Sequence, residues 1–147
     1  MQLKRLIVAC SLLTALGAPA FDGAHLLDGC TSLTKLRPDT SASKAYWAGY
    51  CSGVVDTAVQ ALREMTPMER SRSGVCLPGD EHVKSILDPV NEVTKAAVDA
   101  SLLDLTSAGH LYIVSYLDAN LTGLSHSARQ VVRDAFRSKY ECSRKRP

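Results

Sequence analysis

Four cysteines set the framework of this chain. Cys30, Cys51, Cys76 and Cys142 are spread through the part that follows an export-type leader. An even set of cysteines in an oxidising compartment reads as two disulfides. No Cys-x-x-Cys pair and no histidine ladder accompanies them, so the spacing argues against zinc. Four cysteines allow three pairings, and spacing along the chain does not choose among them. The chain has 147 residues, which is room for one domain around one core.

The leader is read from residues 1 to 20. Lys4 and Arg5 form a positive start, Leu6 to Leu16 an apolar centre, and Ala18-Pro19-Ala20 a small-residue end. That order is a cleavable signal peptide, too short in its apolar run to remain as a membrane span. Ile7-Val8-Ala9-Cys10 superficially fits a lipidation box, but Cys10 lies five residues past Arg5 with the apolar run still ahead of it. Cleavage is therefore expected after Ala20, leaving a domain over residues 21 to 147. Loss of Lys4 and Arg5 takes the formal charge from +2 to zero. A neutral exported domain lacks the basic field that nucleic acid or an anionic membrane attracts.

The mature chain repeats its apolar residues at the helical period and not in the alternation of strands, which predicts an all-α, disulfide-stapled bundle of about five helices. A first helix is expected from Gly23 to Leu36, ended by Pro38, and a second from the Asp39-Thr40-Ser41 caps to Met65. Its inward stripe is expected to hold Trp47, Tyr50, Cys51, Val54, Val55, Ala58, Val59 and Leu62. Residues 66 to 80, polar and rich in proline and glycine, read as a loop tied down by Cys76. A short helix over Glu81 to Leu87, a restart at Pro89 reaching Leu103, a helix after Ser107 and a last one after Ser125 complete the pattern.

The chemistry-bearing patterns are weaker than the packing ones. Gly49-Tyr50-Cys51-Ser52-Gly53 has a nucleophile-elbow outline, but its middle residue is cysteine and its flanks are helical. The crosslink is the stronger reading of Cys51. Gly49 and Gly53, four apart, suit the close approach of another helix. Ser41-Ala42-Ser43-Lys44 matches a Ser-x-x-Lys signature without its partner motifs, and reads as a helix start. His25, His82, His110 and His126 are scattered, and Asn120-Leu121-Thr122 is a glycosylation triplet read as a turn. No cofactor motif and no catalytic set is assigned.

Three separated stretches, "FDGAHLLDGC", "GYCSGVVDTA" and "VCLPG", and a closing helix-turn-helix that finishes in Cys142, resemble the successive motifs of the type VI secretion amidase immunity (Tai) family. The resemblance covers most of the mature chain. It implies a small helical periplasmic protein, often dimeric, that binds a peptidoglycan amidase effector and blocks its papain-like site without catalysis of its own. Two departures stand out. Trp47 occupies the place of the family's second cysteine, which here is Cys51 one turn later, and residues 81 to 105 resemble an inserted helix. The alternative reading is a periplasmic helical binding or chaperone-like module without a toxin partner.

A hairpin turning near Pro38 brings Cys30 and Cys51 to similar depth, which favours Cys30 with Cys51 and Cys76 with Cys142. The alternative pairs Cys30 with Cys142 and Cys51 with Cys76. The aromatic residues Tyr46, Trp47, Tyr50, Tyr112, Tyr116 and Phe136 do not all fit the aliphatic stripe, and with the family resemblance this predicts a homodimer. An inhibitor of a cleft enzyme works best with a rigid protruding element. The segment 66 to 80 is the expected one, with Met68, Glu69, Arg70 and Arg72 as its partner-binding residues, Met65 and Val75 as further apolar anchors, and the turn over 118 to 125 as the competing element.

Overall fold

The computed structural model describes residues 21–80 and 92–142. The expected leader, the short helix over 81 to 87 and the restart at Pro89 lie outside them. Among the described residues there are five α-helices and one 3-10 turn, with no strands beyond two isolated bridges. The disulfide-stapled all-helical bundle is as the periodicity predicts.

Helix α1, Gly23–Leu33, starts where the Asp22 carboxylate accepts the N–H groups of Ala24 and His25, covering two of the donors a helix start leaves open. It stops three residues before Leu36. Lys35 N–H turns back to Ser32 and the Thr34 hydroxyl to the Thr31 carbonyl, while Leu36 stands in solvent. Helix α2, Ala42–Glu64, buries Ala48, Cys51, Val55, Val59 and Leu62, a stripe at the period expected for a helix with one covered face. The two helices meet at Gly29, where any Cβ would collide with the Trp47 carbonyl. One residue on, Cys30 bridges to Cys51 with Cα atoms 5.1 Å apart.

Residues 66 to 80 are not simply a loop. Pro67–Ser73 forms helix α3. Its start is a full capping box: Glu69 N–H donates to the Thr66 hydroxyl, and the Thr66 N–H donates to the Glu69 carboxylate at 2.7 Å. Pro67 occupies the first turn, where it costs no hydrogen bond, and Gly74 closes the helix at φ 86°.

Glu92–Ala119 is one continuous helix, α4, where two were expected on either side of Ser107. The polar residues that suggested a break are satisfied inside the helix. The hydroxyls of Ser101, Thr106 and Ser107 donate to the carbonyls of Ala97, Leu102 and Leu103, each four residues back. Gly109, also inside it, admits Val55 of α2: a Cβ there would lie 2.7 Å from Val55 Cγ1. The 3-10 turn Leu121–Ser125 leads to α5, Ala128–Lys139, capped by the Ser127 hydroxyl. Val131, Val132, Ala135 and Phe136 close the core against Leu102, Leu105, Ile113 and Leu117 of α4 and the inner stripe of α2. No helix among the described residues is long and apolar enough to cross a membrane.

Candidate functional site

The segment from Thr66 to Asp80 hangs on a buried ion pair. Arg70 is 4 % exposed. Its Nε and Nη2 donate to the two oxygens of Asp80 at 2.9 and 2.7 Å, and its Nη1 donates to the carbonyls of Leu62 and Met65 at 2.9 and 2.7 Å. The planar guanidinium thus ties the end of α2 to the far end of the segment, a task its fixed fork suits and a lysine does not. Asp80 also accepts the Leu77 N–H, and Val75 and Leu77 are buried.

A second set of links joins the segment to the C-terminal end of the described chain. Cys76 bridges to Cys142 across a Cα separation of 4.8 Å. Cys76 N–H donates to the Tyr140 carbonyl, and Arg137 donates twice to the Ser73 carbonyl. Tyr140 and Tyr112 both donate to one oxygen of Asp104, at 3.2 and 2.6 Å. The hydrogen bond to Asp104 pushes the Tyr112 phenol up to about 12, since the carboxylate rewards the proton staying on. Lys139 sits 4.4 Å from the Tyr112 ring centroid.

Of the four residues expected to meet a partner, the structure leaves three outside. Met68 is 46 % exposed, and Glu69 and Arg72 face solvent. Arg70 points inward and is corrected from contact residue to brace. Met65 and Val75, expected as apolar anchors, are likewise turned to the core. The competing turn over 118 to 125 ties Asn120 back to the Tyr116 carbonyl and exposes Leu121. Glu69 carries a hydrogen-bonding load of its own, and the Thr66 N–H holds its carboxyl below the usual value. The sequence signal that sequence reading passed over is Thr66-Pro67-Met68-Glu69 itself, a capping box with proline in the first turn.

The other end of α2 carries an aromatic cluster. Phe21 meets Trp47 edge-on at 5.3 Å and Tyr50 at 4.9 Å, and His25 lies 5.0 Å from Trp47. His25 Nδ1 shares a 2.8 Å hydrogen bond with Asp22, and this bond draws the Asp22 carboxyl below its usual value. Trp47 is half-buried, whereas Tyr46, beside it, is 59 % exposed. Of the aromatic residues set apart from the aliphatic stripe, Tyr46, Trp47 and Tyr50 join this cluster, whereas Phe136 is buried in the core and Tyr112 and Tyr116 pack against it. Ser41 caps α2 without a side-chain hydrogen bond, and the Ser41 to Lys44 run lies at that exposed helix start.

Between α2 and α5 runs a groove of about 800 Å³, walled by Phe21, Tyr50, Val54, Ala58, Ala128 and Val132 and edged by Arg129. Gly49 and Gly53 also border it, and a Cβ on either would meet nothing within 4 Å. Glycine inside a helix costs about 1 kcal/mol relative to alanine. The other six glycines described are each explained by a close neighbour or a positive φ, so these two bear that cost with no return inside the monomer.

Cys51 is fully buried and crosslinked, which settles the elbow-like stretch as structural. The two disulfides belong to an oxidising environment outside the cytoplasm. Among the described residues no group of three His, Cys, Asp or Glu side chains gathers in a metal-holding arrangement. Comparison with protein families, curated proteins and solved structures finds no match for this chain.

Proposed function

We propose that this chain is a periplasmic immunity protein that binds a type VI secretion peptidoglycan amidase effector and blocks its active-site cleft. The observation that carries the reading is the rigidity of the Thr66–Asp80 element. It is fastened by a capping box, a buried bidentate ion pair, a disulfide and the Arg137 contacts, yet it presents Met68, Glu69 and Arg72 to solvent. An inhibitor gains affinity when its inserting element is ordered before binding, because no loop entropy is then lost on contact. Met68 supplies a flexible apolar anchor, while Glu69 and Arg72 add charges of both signs that orient it in the cleft.

The test is titration calorimetry against a type VI secretion peptidoglycan amidase, which this reading expects to be encoded beside the gene for this chain. Met68→Asp with Arg72→Glu, which leaves Arg70 and the Thr66–Glu69 box intact, is expected to weaken binding at least tenfold with an unchanged melting transition. Unchanged affinity would move the contact to another element, with the turn over 118 to 125 next in line. Absence of binding by the unsubstituted chain, and failure to protect cells exporting that amidase, would refute the immunity reading.

A further inference from the structure

We propose that Asn120 is an acceptor site for an N-linked oligosaccharide, attached outside the cytoplasm to the run Asp118-Ala119-Asn120-Leu121-Thr122. The inference rests on that run and its place in the fold, and is independent of the inhibitory role proposed for α3.

The sequence holds more than the minimal triplet Asn120-Leu121-Thr122. Asn-x-Thr is the signal by which an oligosaccharyltransferase selects an asparagine, provided the middle residue is not proline. Single-subunit bacterial transferases demand in addition an acidic residue two positions before the asparagine. Asp118 stands there, and neither Ala119 nor Leu121 is proline. The other asparagine of the chain, Asn91, is followed two residues on by Val93 and so lacks the required hydroxyl. The longer pattern is thus met in full at Asn120. The two disulfides place the chain on the side of the membrane where such transferases act.

The structure presents the whole run to solvent. Residues 118 to 122 are all exposed, Leu121 at 69 %. Asp118 and Ala119 end α4, the backbone leaves helical geometry at Asn120 (φ -134°, ψ 72°), and Leu121 and Thr122 open the 3-10 turn. Asp118 enters no ion pair among the described residues, so its carboxylate is open to an incoming cation. The Asn120 carboxamide donates from Nδ2 to the Tyr116 carbonyl at 2.8 Å. That bond uses one of its two N–H groups and lies at the surface, where water replaces it at little cost. The inner side of the turn is anchored separately. Gly123 is buried, a Cβ on Gly23 of α1 would collide with its carbonyl, and a Cβ on Gly123 itself would lie 2.9 Å from Leu117 Cδ2. A glycan on Asn120 therefore has room on the outer side while the packed side of the turn stays as it is.

The reaction joins Asn120 Nδ2 to the anomeric carbon of the first sugar of a polyprenyl-diphosphate-linked oligosaccharide. The bond from that carbon to the diphosphate oxygen breaks, the polyprenyl diphosphate leaves with the electron pair, and Nδ2 gives one proton to a base of the transferase. No oxidant or reductant enters. An amide nitrogen shares its lone pair with its carbonyl, as in the peptide bond, and is a poor nucleophile. The transferase must turn the carboxamide out of its resting plane, and an exposed side chain held by a surface hydrogen bond permits that turn.

The experiment incubates the exported, oxidised chain with a purified bacterial single-subunit oligosaccharyltransferase and a polyprenyl-diphosphate-linked oligosaccharide, and follows intact mass and peptide maps. A free peptide carrying residues 116 to 124 gives the reference rate. The folded chain is expected to gain one glycan, on Asn120, at a rate within about tenfold of the peptide, since a surface hydrogen bond is what must be released. Asn120→Gln, Thr122→Ala and Asp118→Ala should each lower incorporation at least tenfold, with circular dichroism showing that each variant is folded. A folded chain that stays unmodified while its reduced, alkylated and unfolded form is labelled would show that the turn hides the site, and would overturn the proposal. Labelling that survives Asn120→Gln, or a chain that is inert both folded and unfolded while the peptide reacts, would overturn it as well.

Discussion

Removing Arg70 tests how the candidate site is held, because a residue that reads as a surface charge in sequence is an internal strut in the fold. In Arg70→Ala the Asp80 carboxylate, whose side chain is 4 % exposed, keeps only the Leu77 N–H, and the carbonyls of Leu62 and Met65 lose the Nη1 donor. Removing one member of a buried ion pair costs about 3–5 kcal/mol, because the survivor stays buried without its counter-charge. For a domain of this size that corresponds to a fall of roughly 10–20 °C in the melting temperature. Thermal and urea unfolding, followed by circular dichroism with both disulfides intact, measures it. Arg72→Ala, a solvent-facing neighbour two residues on, is the control and should move stability by no more than about 0.5 kcal/mol. Arg70→Met combined with Asp80→Leu should recover most of the loss, since apolar groups of similar size replace a buried pair at little net cost. If Arg70→Ala falls within 1 kcal/mol of the Arg72→Ala control, the strut argument is wrong and the segment is held by the Cys76 bridge, the Arg137 contacts and the burial of Val75 and Leu77.

Dithiothreitol at limiting concentration should open Cys76–Cys142 before Cys30–Cys51, because Cys76 and Cys142 are half-exposed and the other pair is fully buried; alkylation and peptide mass mapping would show the order, and early labelling of Cys30 would contradict it. Replacing both Cys30 and Cys51 by alanine should cost about 3 kcal/mol from loop closure alone, measured by urea denaturation. Gly49→Ala and Gly53→Ala should each stabilise the monomer by about 0.5–1 kcal/mol, whereas Gly109→Ala, whose methyl would press on Val55, should destabilise it; equal effects at all three positions would show that the open space at α2 is not real. Between the ordinary tyrosine value of 10.0 and the value of about 12 for Tyr112, the unfolded chain has lost a phenolic proton that the folded chain keeps. Stability is therefore expected to fall as pH rises through that window, and absorbance titration at 295 nm should lose its latest-titrating component in Tyr112→Phe.

What the sequence determined by itself is what depends on neighbours along the chain. The inward stripe of α2 from Cys51 through Val55 and Val59 to Leu62 follows from the helical period, a local property of the backbone. The start of α5 after Ser125 and its buried Val131, Val132, Ala135 and Phe136 were legible for the same reason. The cysteine count fixed two bridges, and a hairpin estimate already favoured the pairing found. Even α3 was legible, through the Thr66 to Glu69 box, although composition rich in turn-formers hid it. Of the candidate site, the exposure of Glu69 and Arg72 follows from polarity, whereas that of the apolar Met68 does not.

Tertiary structure decided the rest. Nothing local distinguishes Arg70 from Arg72. They part only because Asp80, ten residues on, and two carbonyls at the end of α2 converge on one guanidinium and not on the other. Nothing local separates Gly109 from Gly53 either, yet one is pressed by Val55 and the other opens on empty space. The same holds for Ser107, a plausible cap that became an interior residue once its hydroxyl found the Leu103 carbonyl and the helix ran on. A side chain's role in these cases is set by what meets it across the fold, and contacts between residues distant in sequence leave no periodic trace along the chain.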